Sequence, residues 1–506
     1  MNNTLRSLGA VIILLLGLAG SSSLLGDSLS LHRLGKTRAG QSNQTTHPRS
    51  PNIPLFPQRA QSDPVESRQV GGTLLVPPWA PRAAKHTATP NVPTPLSLPN
   101  HFPIPRTAPF YRTPSIRTSG KSEAPGPKIK VAILDSGFRG YRNLLGTALP
   151  QKVMTRSFRQ DKDLEARQSQ HGLLCAEIVH AIAPNAEVLL ANWQPDDPDS
   201  FLEALKWARR EGARILSCSL IMPSWSDGEG GGRVNQTIAK IVGTGQRTQD
   251  LLFFVSAGNT AQRHWSGKFH SDGKDYHQWT HADTTNAIVP WGPHRVAVEL
   301  YGKSVAGYDL EVIDSRQGRQ VGQTVLRKFR QPDQESSCLL LSFFPKHQAT
   351  RYQLRLRWRG PSAPPKDAFH LVVLGGNLEI TKANGSIPCP ADCPVAIAVG
   401  AVDRREVRCE YSSCGPNGNA RKPDFVAIVP FPSLIRKRPF NGTSAAAPQA
   451  AGTAAVLWSR NPSWTADQVK KQLRKSAKDL GLPGHDWETG YGLVCVPNRR
   501  VHDKDH

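Results

Sequence analysis

Apolar and polar positions change their period twice along the chain. Residues 8–19 form one unbroken apolar run, LGAVIILLLGLA. After it no helical or strand period survives until residue 128, where an α/β rhythm begins. Lys130–Leu134 (KVAIL) is a short β-branched run ending in Asp135-Ser136-Gly137, the pattern of a strand feeding a tight turn. Residues 171–183 predict a helix and 187–191 a buried strand. A helix capped by Ser200 is expected through about Arg210, with Phe201, Leu202, Leu205, Trp207 and Ala208 on one face. Strands are expected at 214–220 and 251–255, with a helix at 234–242 between them. Strands alternating with helices predict a parallel sheet covered on both faces. From about 288 to 374 the period shortens. Strand-like runs at 296–300, 308–313, 337–343, 352–358 and 369–373 are separated by turn residues, which predicts an inserted all-β sandwich. The α/β rhythm resumes at 395–399 and closes with a small-residue helix at 444–459 and an amphipathic helix at 466–475.

The first apolar run is about twelve residues long, too short to span a bilayer comfortably. With Arg6 before it and Gly20, Ser21, Ser22 and Ser23 after it, it reads as a cleaved secretory leader, 1–23, an uncleaved anchor being the alternative. Either exports the rest of the chain. Residues 24–127 then form a disordered basic linker or pro-segment, since eighteen prolines fall between Pro48 and Pro127 and break any helix. The predicted organisation continues with 128–262 and 389–498 as two parts of one α/β domain, 263–388 as the β insertion with its lead-in, and 499–506 as a tail.

Composition adds limits. The chain of 506 residues carries 63 Lys+Arg against 40 Asp+Glu, a formal charge of +23. Residues 28–128 hold thirteen of the basic and three of the acidic residues, so nearly half of the excess sits in the linker. That weakens a nucleic-acid reading, and no specific nucleic acid is expected. Contact of the basic segment with an anionic cell surface is the reading that charge supports. Eight cysteines are far too few for a disulfide scaffold.

Four short words carry chemistry: Asp135-Ser136-Gly137 after the first strand, His171-Gly172 opening a helix, Ser256-Ala257-Gly258-Asn259 after a strand, and Gly442-Thr443-Ser444-Ala445-Ala446-Ala447-Pro448 opening a helix. Each alone is ordinary turn or cap chemistry. Together they fit a serine hydrolase. A serine hydroxyl needs a base, the role for His171; the base needs a group that fixes its tautomer, the role for Asp135. The developing oxyanion needs donors, which the Asn259 amide and the Ser444 N–H can supply. Strand ends of a parallel sheet meet along one edge, so residues this far apart can converge.

The order Asp, His, Asn, Ser and these words resemble the subtilisin-like serine proteases, the subtilase family. The Gly-Thr-Ser-Ala-Ala-Ala-Pro word is the most specific of them. Lys422-Pro423-Asp424 and Tyr491-Gly492 agree as well. The resemblance covers about 128–496 apart from the insertion. It implies a three-layer fold with a mostly parallel sheet, a polypeptide substrate, an acyl-enzyme intermediate and no cofactor for catalysis, with structural calcium often bound; the metal ligands are unknown. Inserts of this kind in exported members resemble pre-peptidase sandwich modules. Two positions depart from the pattern. Leu173 stands where the family has Thr after His-Gly. In the substrate-edge word Ser219-Leu220-Ile221, Ile221 replaces Gly and is expected to narrow the pocket for the residue before the scissile bond. Those departures support a rival reading: a catalytically weak scaffold that binds a surface polymer or partner through its β insertion.

Other groups carry less. Cys175, one turn after His171, reads as a buried inert thiol, with reagent sensitivity as the alternative. Cys389/Cys393 and Cys409/Cys414 are spaced for local disulfides, or for a zinc site without the usual spacing. His264, His270, His277 and His281, with Asp272, Asp275 and Asp283, read as a polar surface loop, a metal site being the minority view.

Overall fold

The computed structural model describes residues 127–166, 169–329, 336–346 and 351–495. The expected leader, the linker up to residue 126 and the tail lie outside the described residues.

The strands in chain order begin with β1 (Lys130–Leu134), β2 (Val153–Phe158), β3 (Glu187–Trp193), β4 (Ile215–Cys218) and β5 (Leu252–Ser256). The insertion supplies β6 (His264–Gly267), β7 (Asn286–Pro290), β8 (Val296–Gly302), β9 (Tyr308–Asp314) and β10 (Arg319–Gln320). It continues with β11 (Val325–Phe329), β12 (Ser336–Phe343), β13 (Tyr352–Trp358), β14 (Phe369–Leu374) and β15 (Gly376–Leu378). Then come β16 (Ile397–Val402) and β17 (Phe425–Ile428). The helices are α1 (His171–Ile182), α2 (Pro198–Arg210), α3 (Arg233–Val242), α4 (Thr443–Arg460) and α5 (Ala466–Ser476).

Seven strands form one sheet in the order β17-β16-β5-β4-β1-β3-β2, every neighbouring pair parallel. The alternation of side chains along each strand divides the core. Val131 and Ile133 face α1 and α4, while Ala132 and Leu134 face α2 and α3. Both faces are covered, so the inner strands read as continuous apolar runs. This is the expected three-layer α/β arrangement.

Two local expectations are corrected. The N-cap of α2 is Asp197, whose carboxylate accepts from Asp199 N, with Pro198 at the first helical position. Ser200 lies inside the helix and donates to Asp197 O at 2.9 Å. Strand β2, absent from the expected set, lies at the sheet edge with its middle residues exposed, so no apolar run marked it.

The insertion consists of two antiparallel five-stranded sheets, β10-β9-β13-β7-β15 and β11-β12-β8-β14-β6. Trp265, Leu300, Leu310, Leu354 and Phe369 are among the residues of their shared core. Strand β9 alternates buried and half-buried positions, whereas β8 is buried throughout. The reason is that β8 also faces the α/β part. Ala297 and Tyr301 cluster with Ile221, which is itself 2% exposed.

Glu299 lies on that same face of β8, fully buried. One oxygen accepts from Ser224 N at 3.2 Å and the other has no hydrogen-bond partner among the described residues. Burial pushes its carboxyl up to about 7, with the Asp196 charge adding to the shift and the Ser224 bond opposing it. A carboxyl whose folded value is raised stabilises the fold fully below its unfolded value and loses that contribution as pH rises through 7. Stability of the native chain should therefore fall by on the order of 3 kcal/mol between pH 4.5 and 8 through this group, and Glu299→Gln should remove that part of the slope. Urea unfolding at pH 5 and pH 8 checks it; an unchanged slope in the variant refutes the assignment.

The histidine-rich lead-in is not wholly a surface loop. His270 and His281 are exposed, but His264 and His277 are buried, and burial drops both to about 3. His264 Nδ1 bonds Lys382 O and its Nε2 bonds His370 Nδ1, so it is a satisfied core histidine. All eight cysteines are free thiols, and the two expected local bridges are not formed. Cys389 and Cys393 instead donate to the side chain and the carbonyl of Asn235.

Candidate active site

Asp135 follows β1 and is fully buried. His171 opens α1. Gly172 brings the two together: a Cβ there would lie 2.6 Å from Asp135 Cβ and 2.6 Å from the Phe138 ring. His171 Nδ1 lies 2.9 Å from each carboxylate oxygen of Asp135. The same carboxylate accepts from Ser136 N at 2.7 Å, Ser136 Oγ at 3.1 Å and Cys175 Sγ at 3.7 Å. With donors converging on it, the carboxylate acts as acceptor, so Nδ1 presents its N–H to it, and in the neutral ring the lone pair is then on Nε2. His171 Nε2 has no hydrogen-bond partner among the described residues. Phe440 packs edge-on against the ring at 5.4 Å, fixing its plane.

Ser444 is the second residue of α4 and is buried. Pro448 stands four residues on and has no N–H, so the Ser444 carbonyl is released from the helix ladder. Ser219 Oγ donates to it at 3.1 Å and Cys175 Sγ at 3.6 Å. In return Ser444 Oγ donates to Ser219 O at 3.1 Å. Ser219, expected at the substrate edge, therefore grips the first turn of α4 through both its hydroxyl and its carbonyl. Leu220 is buried in the core of the α2–α3 face. Cys175 is buried as expected, and burial pushes its thiol well up. That it touches both Asp135 and Ser444 was not legible beforehand.

Asn259 follows β5. Its Oδ1 accepts from Thr443 N at 3.0 Å and Thr443 Oγ1 at 2.9 Å. Both partners donate, so the amide orientation is fixed and Nδ2 is left facing Gly442. Gly442 has φ +88°, and a Cβ there would come within 3.0 Å of Asn259 Nδ2. Glycine is needed at that place on both counts. The Ser444 N–H lies in the first turn of α4, where no helix carbonyl takes it.

Lys422-Pro423-Asp424 forms a buried ion pair whose partners among the described residues do not include Asp135, His171 or Ser444. Lys422 Nζ meets Asp424 Oδ2 at 2.8 Å and also donates to Ala396 O; Lys470 Nζ meets Oδ1 at 3.0 Å. Leu173, the third residue of α1, is buried in the core, and the polar partner of His171 Nδ1 is Asp135.

Against known proteins, residues 126–289 and 356–492 match the model of the subtilase family. That is more than half of the chain. The chain belongs to the subtilase family. Residues 290–355, from the end of β7 to β13, fall outside the subtilase match. Among subtilases, subtilisin DY of Bacillus licheniformis is 35% identical over 126 residues, 25% of this chain and 44% of that protein. Subtilisin E of Bacillus subtilis (strain 168) is 34% identical over 121 residues, 24% of this chain and 31% of that one. The matched stretch thus spans less than half the length of these curated subtilases. The CspB protease of Clostridium perfringens is similar in fold, with a TM-score of 0.51 at 18% identity over 75% of this chain and 95% of that one.

Proposed function

We propose that this subtilase is an exported serine endopeptidase whose triad is Ser444, His171 and Asp135. The observation that carries the reading is His171, tied through Nδ1 to buried Asp135 with Nε2 unengaged among the described residues, together with Cys175, whose Sγ reaches both Asp135 Oδ2 and the carbonyl of Ser444. Ser444 Oγ leaves its bond to Ser219 O, gives its proton to His171 Nε2 and attacks the peptide carbonyl carbon. The electron pair displaced onto the carbonyl oxygen is met by Asn259 Nδ2 and the Ser444 N–H. His171 then donates the proton to the departing amine, leaving an acyl-enzyme on Ser444. Water, deprotonated by His171, releases the acid and restores Ser444.

The substrate class is polypeptide. We read residues 1–23 as the leader, 24–127 as a linker or pro-segment whose basic charge suits an anionic cell surface, and 263–388 as an inserted module. Among the described residues no helix is long and apolar enough to cross a membrane. Calcium, which the family often binds, takes six to eight oxygen ligands. The His/Cys/Asp/Glu trio that could converge on an ion among the described residues is Asp135, His171 and Cys175, with one carboxylate. That donor set does not fit calcium, and no step above is routed through a metal.

The test is covalent labelling by a fluorophosphonate probe with site mapping. Labelling at Ser444 that vanishes in His171→Ala is the expected result. Absence of labelling in a folded sample overturns the proposal and turns attention to the insertion as a binding module.

A further inference from the structure

A cavity of about 260 Å³ opens beside Asn259 that the chemistry above does not use. One wall is Asn259 and Gly442 themselves. A second is Tyr411 and Asn441, joined by the Tyr411 hydroxyl donating to Asn441 Oδ1 at 3.0 Å. The third comes from the insertion: Trp291, whose Nε1 donates to Asn377 Oδ1 at 2.9 Å. Arg263 also lines this space and is 2% exposed. Its Nε donates to Asn259 O at 2.9 Å and its Cζ lies 4.7 Å from the Trp291 ring centre. Nη1 is buried and has no hydrogen-bond partner among the described residues.

Burying a cation without a counter-charge is costly, and the face of a half-exposed tryptophan offsets only part of that cost. Among the described residues, no carboxylate is paired with Arg263. Burial alone pulls its guanidinium down to about 10, with no acidic neighbour opposing the shift. The Glu410 carboxylate, near the rim, accepts instead from Gln262 Nε2 at 2.9 Å. The missing partner is thus an anion that enters the cavity, and a guanidinium edge suits a planar carboxylate. The position also has a direction. Asn441 follows Phe440, whose ring packs on His171, the group that hands its proton to the departing amine. Arg436, Lys437 and Arg438 precede Phe440, with the Arg436 Cζ 5.2 Å from its ring centre, so the same approach is basic.

We infer that Arg263, roofed by Trp291 of the insertion, forms a subsite for a carboxylate on the leaving half of the polypeptide substrate, within the first two residues after the cleaved bond. The inference rests on the endopeptidase reading and adds selectivity to it. The carboxylate is supplied by an Asp or Glu side chain, or by a chain terminus held at the same distance.

The test uses internally quenched peptides identical except for Glu, Gln or Lys at those two positions, with a further pair ending there in a free acid or an amide. The expected result is a kcat/KM for Glu at least tenfold above Gln and further above Lys. Arg263→Met should bring the Glu-to-Gln ratio to near one, Arg263→Lys should retain part of it, and Trp291→Ala should reduce it. The ratio is read within each variant, so a general loss of activity cancels. The acid-against-amide pair tells a terminal carboxylate from a side chain. Equal rates for Glu and Gln in the native chain, or a preference that survives Arg263→Met, overturn the inference. Calorimetric binding of the leaving-half peptides to the Ser444→Ala chain gives a readout without turnover. A Glu peptide that binds at least tenfold more tightly than its Gln counterpart supports the subsite even where no peptide is cleaved, an outcome that would sink the endopeptidase reading alone. Equal binding overturns the subsite.

Discussion

Ser444→Ala should lower peptide turnover by on the order of 10⁶-fold, and His171→Ala by nearly as much, because on the proposed mechanism the nucleophile and its base act as one unit. The double variant should be little worse than either single one. Asp135→Asn is the informative intermediate. It preserves the 2.9 Å contact to His171 Nδ1 but presents an N–H, which favours the tautomer with the proton on Nε2, where the proton of Ser444 must go. A loss of about 10⁴-fold in kcat is expected. Removing the Asn259 amide (Asn259→Ala) deletes one proposed oxyanion donor and should cost about 10²- to 10³-fold in kcat with KM little changed. Steady-state kinetics on a quenched peptide, with each variant's fold checked by circular dichroism, separates these levels. Turnover in Ser444→Ala within tenfold of the native chain would show that this serine is not the nucleophile.

The second large effect is on stability. Asp424 is 2% exposed and collects Lys422, Lys470 and the Ala398 N–H, with Arg474 at 3.6 Å. Burial works to raise its carboxyl, but the Lys422 and Lys470 charges and their hydrogen bonds outweigh that, and the group is held well below the ordinary carboxylate range. Asp424→Asn keeps the shape and removes the charge, leaving Lys422 buried without a counter-ion. A loss of about 3–5 kcal/mol is expected from breaking such a pair. Because the folded value is depressed, the stabilisation is fully present above about pH 4 and is lost as pH falls below it, so the variant should lack that acid limb. Urea unfolding in a Ser444→Ala background avoids self-cleavage. Replacing both partners, Lys422→Met with Asp424→Leu, should recover much of the loss; if the double variant is as unstable as the single, the ion pair is not the cause.

Much of this was legible from short words at element ends. Asp135, Asn259 and Ser444 follow β1, follow β5 and open α4, because a parallel sheet collects its carboxyl ends along one edge. The period change near residue 288 announced the two antiparallel sheets. What escaped had little pattern to show. Strand β2 is an edge strand with exposed middle residues, so its alternation carried no apolar signal. The cap of α2 went to Asp197-Pro198 because a proline at the first helical position needs no N–H partner, and Ser200 three residues on offered an equally good word. His264 and His277 looked like a polar loop because sequence does not show the aromatic cluster of Trp265, Trp279 and Phe369 that encloses His277. Ile221 read as a pocket residue, yet its packing partners are on β8, β12 and β14, up to about 150 positions away. Arg263 had no signal at all; only its burial beside Trp291 singles it out.

The chain leaves β5 through Asn259 and enters β6 five residues later, yet the hydrogen bonds that set the Asn259 amide come from Thr443 on α4, not from the insertion. On the proposed mechanism the reacting side chains thus lie outside the insertion, while the insertion lends Trp291 to the wall of the cavity beside Asn259. A change at Trp291 would re-face that cavity and leave the bonds at Asn259 Oδ1 in place. The insertion is in this sense a faceplate that shares a wall with the site it fronts.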